Sequence, residues 1–230
     1  MSSGVPDIIK AAKILADQSR VDILTVLMDG RFHTVNEISK YAKVKPNTTS
    51  YHLAKFLELD WVESNKTGRF KYYRLKKKEI ATIIESFMSI SPGKEIKSFN
   101  QNSEMKKLKQ SRTCYDHIAG ELGVQIFSFL IEKKYILDGN SELTLTLEGE
   151  SFFNDLGVDI NSLKCKKRNF CTSCIDWSER QYHLSGSLGN ALYLLFLEKE
   201  WICQNPNSRS LTITSEGQKN LNIIFCMAKE

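Results

Sequence analysis

This 230-residue sequence has no long apolar run, no secretory signal pattern and no cysteine before residue 114. The first two absences argue against membrane and secreted proteins. The longest uninterrupted apolar run, residues 191–197, is far shorter than the ~20 residues that a membrane-spanning helix needs. The N-terminus lacks the charged and then apolar pattern of a secretory signal. Residues 1–113 contain no cysteine, and we expect the six later cysteines to be thiols. We therefore expect a cytoplasmic protein with no membrane partner.

The net charge of +5 is distributed unevenly along the chain. Residues 1–90 contain 15 Lys and Arg against 10 Asp and Glu, whereas residues 91–230 contain 17 of each class. A basic excess confined to one part of a chain favours a polyanionic partner for that part. The sequence thus divides into a basic, cysteine-free front and a neutral, cysteine-bearing back.

The front of the chain predicts a series of short helices. Apolar periodicity indicates helices over residues 6–16 and 21–28. Thr34 and Glu37 form the sequence of a capping box that begins a third helix. Pro46, which is tolerated at a first helical position, then opens a fourth. Two short helices joined by a tight turn are the helix-turn-helix arrangement.

The fourth helix, residues 44–57, has a sparse apolar side and a polar outer side. Short hydrogen-bonding side chains suit base edges and phosphates in a DNA major groove better than plain solvation, for which Glu and Lys are better helix formers. The alternative is a surface helix that is merely polar. The predicted DNA contacts of this helix are Lys45, Asn47, Thr48, Ser50, Tyr51 and Lys55.

A β-hairpin is predicted after this helix, with strands over residues 61–64 and 69–75. Lys66, Arg69 and Lys71 lie on it. Basic residues on a hairpin beside a recognition helix are expected to contact phosphates and so to position the helix. The alternative is a solvated hairpin without a partner.

Three motifs of the front resemble the winged-helix repressors of the ArsR/SmtB family, in the family's order and spacing: residues 16–24 (ADQSRVDIL), 50–53 (SYHL) and 68–75 (GRFKYYRL). The resemblance implies a homodimer that represses its operator and releases it on sensing a signal. A further helix over residues 77–88, with Ile80, Ile83, Ile84 and Phe87 predicted to point inward, is a natural dimerisation element.

Two departures from the metal-sensing members of that family concern known metal sites. Those members carry a cysteine pair in the helix before the recognition helix, whereas residues 35–40 (VNEISK) contain no thiol. The second familiar site, formed by histidine and acidic residues on the last helix, is also missing from residues 79–88. We expect that any signal is sensed elsewhere.

The back of the chain contains an internal repeat. With a shift of 66, residues 117–123 (HIAGELG) match residues 183–189 (HLSGSLG), and residues 143–149 match 211–217 two residues later. Each copy predicts a long apolar helix, a turn and a strand that ends in Glu-Gly. Both helices contain uncharged stretches, 122–131 and 188–197, and are therefore predicted to be buried rather than to contact DNA.

Equivalent histidines and glycines in the two copies carry separate hypotheses. His117 and His183 could converge across a pseudo-twofold axis, or each could be a hydrogen-bonded core residue. Gly120 and Gly123, like Gly186 and Gly189, favour close approach of another backbone over a ligand contact.

The segment between the copies concentrates the cysteine chemistry. Cys171 and Cys174 have a spacing that lets two thiolates bind one soft cation, and Cys165 is near enough to join, with His183, Asp176 or Cys203 as a fourth ligand. Nearby basic residues would also suit an oxidation sensor. A metal site, with zinc as the candidate cofactor, a redox site and inert thiols remain open. Asp176 is predicted to cap a helix that carries His183.

These observations predict a mainly α fold with small β wings (α+β). Residues 1–90 form a winged helix-turn-helix domain, 91–111 a linker, and 112–230 a duplicated helix-plus-wing module with repeats at about 112–160 and 175–230. The back of the chain resembles the C-terminal extension of a long-chain subgroup of ArsR-like regulators.

The predicted function is a dimeric regulator that binds double-stranded DNA and is not an enzyme. We expect a repressor whose inducer, a small molecule, a metal or an oxidant, acts in the C-terminal domain. The alternatives are a thiol-dependent redox enzyme and a zinc-stabilised protein-interaction module. Against the enzyme, Cys171 and Cys174 lack the βαβ context of thioredoxin-type sites.

Overall fold

The computed structural model describes residues 7–93, 95, 98–139, 142–206 and 208–227. The chain divides into two compact units, Met1–Ala81 and Thr82–Glu230. The fold class is the predicted one, because helices dominate and the strands form small antiparallel sheets. In the described part of the chain, no helix is both long and apolar enough to cross a membrane.

The first unit is a winged helix-turn-helix with a three-stranded sheet in the order β1-β3-β2. Its core consists of fully buried side chains on the second, third and fourth helices, including Leu24, Ile38 and Phe56. Its elements are α1 (Ile8–Leu15), α2 (Gln18–Leu27), β1 (His33–Thr34), α3 (Val35–Ala42), α4 (Pro46–Glu58), β2 (Val62–Thr67) and β3 (Phe70–Leu75), after which α5 (Lys78–Ile90) begins.

Local signals account for the helix boundaries in this unit. Thr34 and Glu37 form both hydrogen bonds of the predicted capping box at the start of α3. Lys43 ends α3 in the left-handed conformation, with φ of 56°, and so turns the chain. Pro46 then begins α4, where its missing N–H costs no helical hydrogen bond. The helix-turn-helix prediction is therefore confirmed.

The second unit continues through α6 (Phe99–Gln110) into two copies of one motif. Helix α6 covers most of the predicted linker, 91–111. Ser98 caps it by accepting a hydrogen bond from the backbone N–H of Gln101. None of its residues is buried, and this is why hydrophobic periodicity did not indicate it.

Each copy consists of a hairpin, a buried helix, a second hairpin and a final helix. The first copy contains β4 (Arg112–Cys114), β5 (His117–Ala119), α7 (Glu121–Glu132), β6 (Ile136–Asp138), β7 (Leu143–Leu145) and α8 (Leu147–Leu156), followed by the short α9 (Ile160–Lys164). The second contains β8 (Thr172–Ile175), β9 (Tyr182–Ser185), α10 (Gly186–Glu198), β10 (Ile202–Gln204), β11 (Leu211–Ile213) and α11 (Ser215–Phe225).

Two predictions for this unit were wrong. The Glu-Gly pairs, residues 148–149 and 216–217, lie in the first turns of α8 and α11, because Thr146 and Thr214 cap those helices after three-residue strands. Asp176 does not begin a helix that carries His183. It lies in the turn of the β8–β9 hairpin, where its carboxylate accepts hydrogen bonds from the backbone of Ser178 and Glu179.

Within the described residues, the helix-plus-hairpin unit occurs three times with the same helix ending. In each case a residue with φ between 55° and 58° precedes an aromatic residue, whose N–H donates to a carbonyl five residues earlier at 2.9 Å. The three bonds run from Trp61 to Phe56, from Tyr135 to Leu130 and from Trp201 to Phe196. The predicted similarity of the three units is thus visible in the backbone.

The core of the second unit is shared by both copies. Side chains of α7 and α10, including Ile126, Leu130, Leu188 and Phe196, lie in one continuous apolar cluster. Because most faces of these helices are buried, the prediction that they pack rather than contact DNA agrees with the structure.

Candidate DNA-contacting surface and cysteine–histidine centre

Helix α4 is held by its inner face and leaves a polar face in solvent. Thr49, His52, Leu53 and Phe56 are buried against the rest of the first unit. Tyr51 is 57% exposed on the opposite side. Of the residues predicted to contact DNA from this helix, Lys45, Asn47, Ser50 and Tyr51 are exposed, and Thr48 and Lys55 are half-buried.

The β2–β3 hairpin presents a basic edge. Lys66 and Lys71 are exposed and face each other across the two strands, and Arg69 is exposed at the turn. Like charges directly opposite one another destabilise a hairpin. Among the residues that the structure describes, none of these three forms an ion pair with a carboxylate. The hairpin therefore maintains an uncompensated positive charge, as a phosphate-contacting wing requires.

A second candidate site lies in the C-terminal unit, where two hairpins bring two thiols and two imidazoles together. Cys114 lies opposite His117 in the β4–β5 pair, and Cys174 lies opposite His183 in the β8–β9 pair. One ligand atom from each of the four residues lies within 4.8 Å of all the others. The two copies of the motif therefore contribute the same pair of residue types.

The imidazoles meet through their Nε2 atoms. Nε2 of His117 lies 3.2 Å from Nε2 of His183. The other ring nitrogens face carboxylates: Nδ1 of His117 lies 3.3 Å from Oδ1 of Asp116, and Nδ1 of His183 lies 3.2 Å from Oδ2 of Asp176. His117 and His183 therefore meet, as the internal repeat suggested.

The surroundings of the four residues shift their pKa values in different directions. Burial disfavours the charged form of His117, but hydrogen bonds to Asp116 and Cys174 raise its pKa to about 9. A hydrogen bond from the Cys114 thiol lowers the pKa of Cys174 below the usual thiol range. Burial lowers the pKa of His183, which favours a neutral ring. One thiolate and one neutral imidazole, both good metal ligands, are thus already favoured.

Two glycines allow the copies to approach at this centre. A Cβ at Gly123 would lie 2.5 Å from the carbonyl oxygen of Ile118 and 3.4 Å from the β-carbon of His183. A Cβ at Gly189 would make the equivalent contacts with Leu184 and His117. The predicted packing role of these glycines is therefore consistent with the structure.

A buried network of charges surrounds the centre. The Arg112 side chain is fully buried, and its guanidinium lies 3.0 Å from Asp176 and 3.2 Å from Glu85 of α5. Arg209 donates a hydrogen bond of 2.8 Å to the same Glu85 carboxylate. These ion pairs, with a contribution from His183, hold the pKa of Glu85 below its usual value although burial opposes ionisation. The network joins the centre to α5.

The structure brings together only part of the predicted cysteine site. Cys174 and His183 belong to the centre, whereas Cys165 is exposed and Cys171 packs in the apolar core. Burial raises the pKa of the Cys171 thiol to about 12, which disfavours its thiolate. Cys171 and Cys174 do not share a site, although they are close in sequence. Cys171 lies just before β8, whereas Cys174 lies within this strand.

Two members of the centre, Cys114 and His117, were not among the predicted ligands. A signal for them was present in the sequence. The spacing of Cys114 and His117 fits cross-strand neighbours on a tight hairpin, and the repeat pairs His117 with His183.

Comparisons with known proteins identify the family. Residues 17–64 match the model of the bacterial regulatory proteins of the arsR family. Over 222 residues, the chain is 42% identical to the uncharacterized HTH-type transcriptional regulator YdfF of Bacillus subtilis (strain 168), covering 95% of this chain and 98% of that relative. The chain belongs to the arsR family.

Two partial matches concern the front of this arsR-family protein. The cadmium resistance transcriptional regulatory protein CadC of Listeria innocua is 33% identical over 73 residues, which are 32% of this chain and 61% of the relative. The crystal structure of the AntR antimony-specific transcriptional repressor covers 37% of this chain and 78% of its own, at 19% identity and a TM-score of 0.34.

The family assignment confirms the prediction of a DNA-binding transcriptional regulator. It does not favour a thiol-dependent redox enzyme or a protein-interaction module, because the relatives are named as regulators.

Proposed function

We propose that this arsR-family protein is a cytoplasmic repressor that reads its operator with the outer face of α4 and contacts phosphates with the β2–β3 wing. The observation that carries this proposal is the exposed polar face of α4 beside a basic hairpin on which Lys66, Arg69 and Lys71 form no ion pair with any described carboxylate. On α4, Asn47, Ser50 and Tyr51 are placed to meet base edges, with Lys45, Thr48 and Lys55 at the margins of the same face. Lys66, Arg69 and Lys71 add a charge attraction that is independent of sequence.

The roles of these residues are tested by mobility-shift titrations on operator and on random DNA. Asn47→Ala or Tyr51→Ala should cost about 1–3 kcal/mol on the operator and little on random DNA, because base contacts carry specificity. Arg69→Ala should weaken binding to both DNAs and reduce the salt dependence. Lys219→Ala, an exposed lysine of the C-terminal unit, is the matched control and should change neither. Equal losses on both DNAs for all three variants would contradict these roles.

The proposed active form is a homodimer that uses α5. Ile80 and Ile84 are buried as predicted, but Ile83, Phe87 and Ile90 are 44%, 53% and 79% exposed, so the inward prediction was wrong for Ile83 and Phe87. The exposed three recur every three or four residues and form one apolar stripe along α5. Such a stripe suits an identical stripe on a second copy, because a twofold axis pairs the same surface with itself.

The dimer is tested by sedimentation velocity on Phe87→Glu. A charge in the stripe should shift the protein from dimer to monomer at micromolar concentration and reduce operator binding, since two half-sites are then contacted separately. Thr82→Glu, at an exposed position about 100° around α5 from Ile83 and outside the stripe, should remain dimeric. A monomeric wild-type protein or a dimeric Phe87→Glu protein would contradict the assignment of α5.

The proposed signal acts in the C-terminal unit, with zinc at the cysteine–histidine cluster as the candidate cofactor. Titration of operator binding with and without zinc and a chelator should show a coupling of about 1–3 kcal/mol, equivalent to a 5- to 150-fold change in affinity. An oxidant is the alternative signal, because the same residues include two thiols. A change in affinity with oxidant and none with zinc would favour that alternative.

A further inference from the structure

We propose that Cys114, His117, Cys174 and His183 bind a single divalent ion of the zinc class in a closed tetrahedral site between the two copies of the C-terminal motif. This inference deepens the proposed regulation, on which its biological role rests, but metal binding itself is testable without DNA. The site differs from the predicted one, because Cys165 and Cys171 are not ligands.

The number and type of ligands fit zinc. Structural zinc sites are typically tetrahedral, and two thiolates with two imidazoles are one of their common ligand sets. Zinc–nitrogen bonds of about 2.0–2.1 Å place two nitrogens of a tetrahedron about 3.3–3.4 Å apart. The Nε2 atoms of His117 and His183 are separated by 3.2 Å. No two of the four ligand atoms are more than 4.8 Å apart, which leaves room for the ion and needs only a small contraction around it.

The orientation of the imidazoles also calls for a cation. Asp116 is hydrogen-bonded to Nδ1 of His117, as carboxylates are behind metal-binding histidines, and Asp176 lies 3.2 Å from Nδ1 of His183 without an aligned hydrogen bond. Without a metal ion, a proton on Nε2 of His117 lies between the two rings, in agreement with the raised pKa of that histidine. A metal ion would replace this proton. A proton satisfies only the two nitrogens, whereas a metal ion between all four residues also satisfies both sulfur atoms.

The environment favours a closed site. His183 and Cys114 are 0% and 1% exposed, and His117 is 5% exposed. Two thiolates and two neutral imidazoles neutralise a divalent cation, so the occupied site carries no net charge into the protein interior. All four positions are taken by side chains, which leaves no open position for a substrate. The site therefore suits binding and signalling rather than hydrolysis.

The position of the site gives it a mechanical role. Neither hairpin can complete it, because each supplies one cysteine and one histidine. An ion bound there ties β4–β5 of the first copy to β8–β9 of the second. Asp176, beside His183, also contacts Arg112, which is bonded to Glu85 on α5. Occupancy of the site can thus change the packing around α5.

Metal analysis of wild-type protein purified without chelator is expected to give about one zinc per chain. Replacement by cobalt should produce the absorption of a tetrahedral ion with thiolate-to-cobalt charge transfer. Cys174→Ser should lower that charge-transfer intensity, because one of the two thiolates is removed, and should weaken metal binding by more than about 100-fold. Cys165→Ser and Cys203→Ser, both exposed cysteines outside the centre, should bind as the wild type does.

A further pair of variants distinguishes loss of a ligand from loss of folding. His183→Cys should retain a tetrahedral cobalt spectrum, because three cysteines and one histidine also bind zinc, whereas His183→Ala should not. Circular dichroism verifies that each variant is folded. The proposal is overturned by a metal-free wild type without a cobalt spectrum, by unchanged binding in Cys174→Ser, or by a Cys114–Cys174 disulfide in protein purified under reducing conditions.

These measurements are separable from the tests of the proposed function. A failure of the metal site leaves operator binding by α4 intact. A failure of operator binding leaves the metal stoichiometry and the cobalt spectrum intact. A bound metal without any effect on DNA affinity would retain the site and remove only its proposed role as a signal.

Discussion

Helix α4 and the helices α7 and α10 share a supersecondary unit but present opposite surfaces. All three end in the same turn and lead into a hairpin. Helix α4 buries one face and exposes hydrogen-bonding side chains beside strands of six residues, whereas α7 and α10 are mostly buried beside strands of three. The local pattern that builds the unit therefore does not decide what the unit contacts. That choice depends on which faces are polar and how far the wing extends.

The largest expected effect is a difference in the free energy of unfolding between two substitutions. One breaks a buried ion network in the C-terminal unit, and the other breaks an exposed ion pair in the wing. Arg112→Met should destabilise the C-terminal unit by about 3–5 kcal/mol, because it leaves Glu85 and Asp176 buried with fewer partners. Arg74→Met in the wing breaks an ion pair with Glu63 whose two side chains are more than one third exposed, and should cost about 0–1 kcal/mol. Denaturant unfolding measures both values. Equal costs would remove the energetic contrast between the units.

A smaller effect tests the close approach of α7 to the backbone of β5 within the first copy. Gly123→Ala places a Cβ 2.5 Å from a backbone oxygen and should destabilise the C-terminal unit by about 1–3 kcal/mol through overpacking. The control is Gly93→Ala, where an added Cβ meets no atom within 4 Å and stability should hardly change. Thermal unfolding distinguishes them. A neutral Gly123→Ala would show that α7 and β5 are less tightly packed than described.

A comparable effect on zinc affinity is expected from Asp116, whose carboxylate contacts the ring of His117. Among the described residues, helix α4 and its wing have no such pair. Asp116→Asn should weaken zinc binding about 10- to 100-fold, because Asp116 orients His117 without being a ligand. Asp138→Asn, an exposed carboxylate on β6, is the control. Competition with a zinc indicator gives the affinities, and the cobalt spectrum should keep its tetrahedral form. A lost tetrahedral spectrum would assign Asp116 a different role.

The smallest expected effect concerns the wing. Lys66→Gln or Lys71→Gln should each reduce the slope of log affinity against log salt by about 1, without changing operator preference. Lys164→Gln, in the C-terminal unit, should leave the slope unchanged. Fluorescence anisotropy over a range of salt concentrations measures it. A preserved slope in both wing variants would leave the wing without a phosphate-contacting role.

The sequence predicted the first unit well, because its signals are local. The capping box at Thr34, the proline at position 46 and the alternation of the wing each depend on a few neighbouring residues. The back of the chain was harder. Its strands have only three or four residues, too few for alternation to be distinguished from a loop, so Asp176 was assigned to a helix instead of a hairpin turn.

Sequence alone determined the winged helix, the exposed polar face of its fourth helix, the charge difference between the two halves and the duplication. These features depend on periodicity, capping and composition along the chain. Only the tertiary structure decided which thiols and imidazoles meet. Cys171 and Cys174 are close in sequence but separate in space, whereas Cys114 and Cys174 are brought together by packing of the two copies. Long-range contacts of this kind arise from the joining of two buried surfaces, which no local pattern encodes.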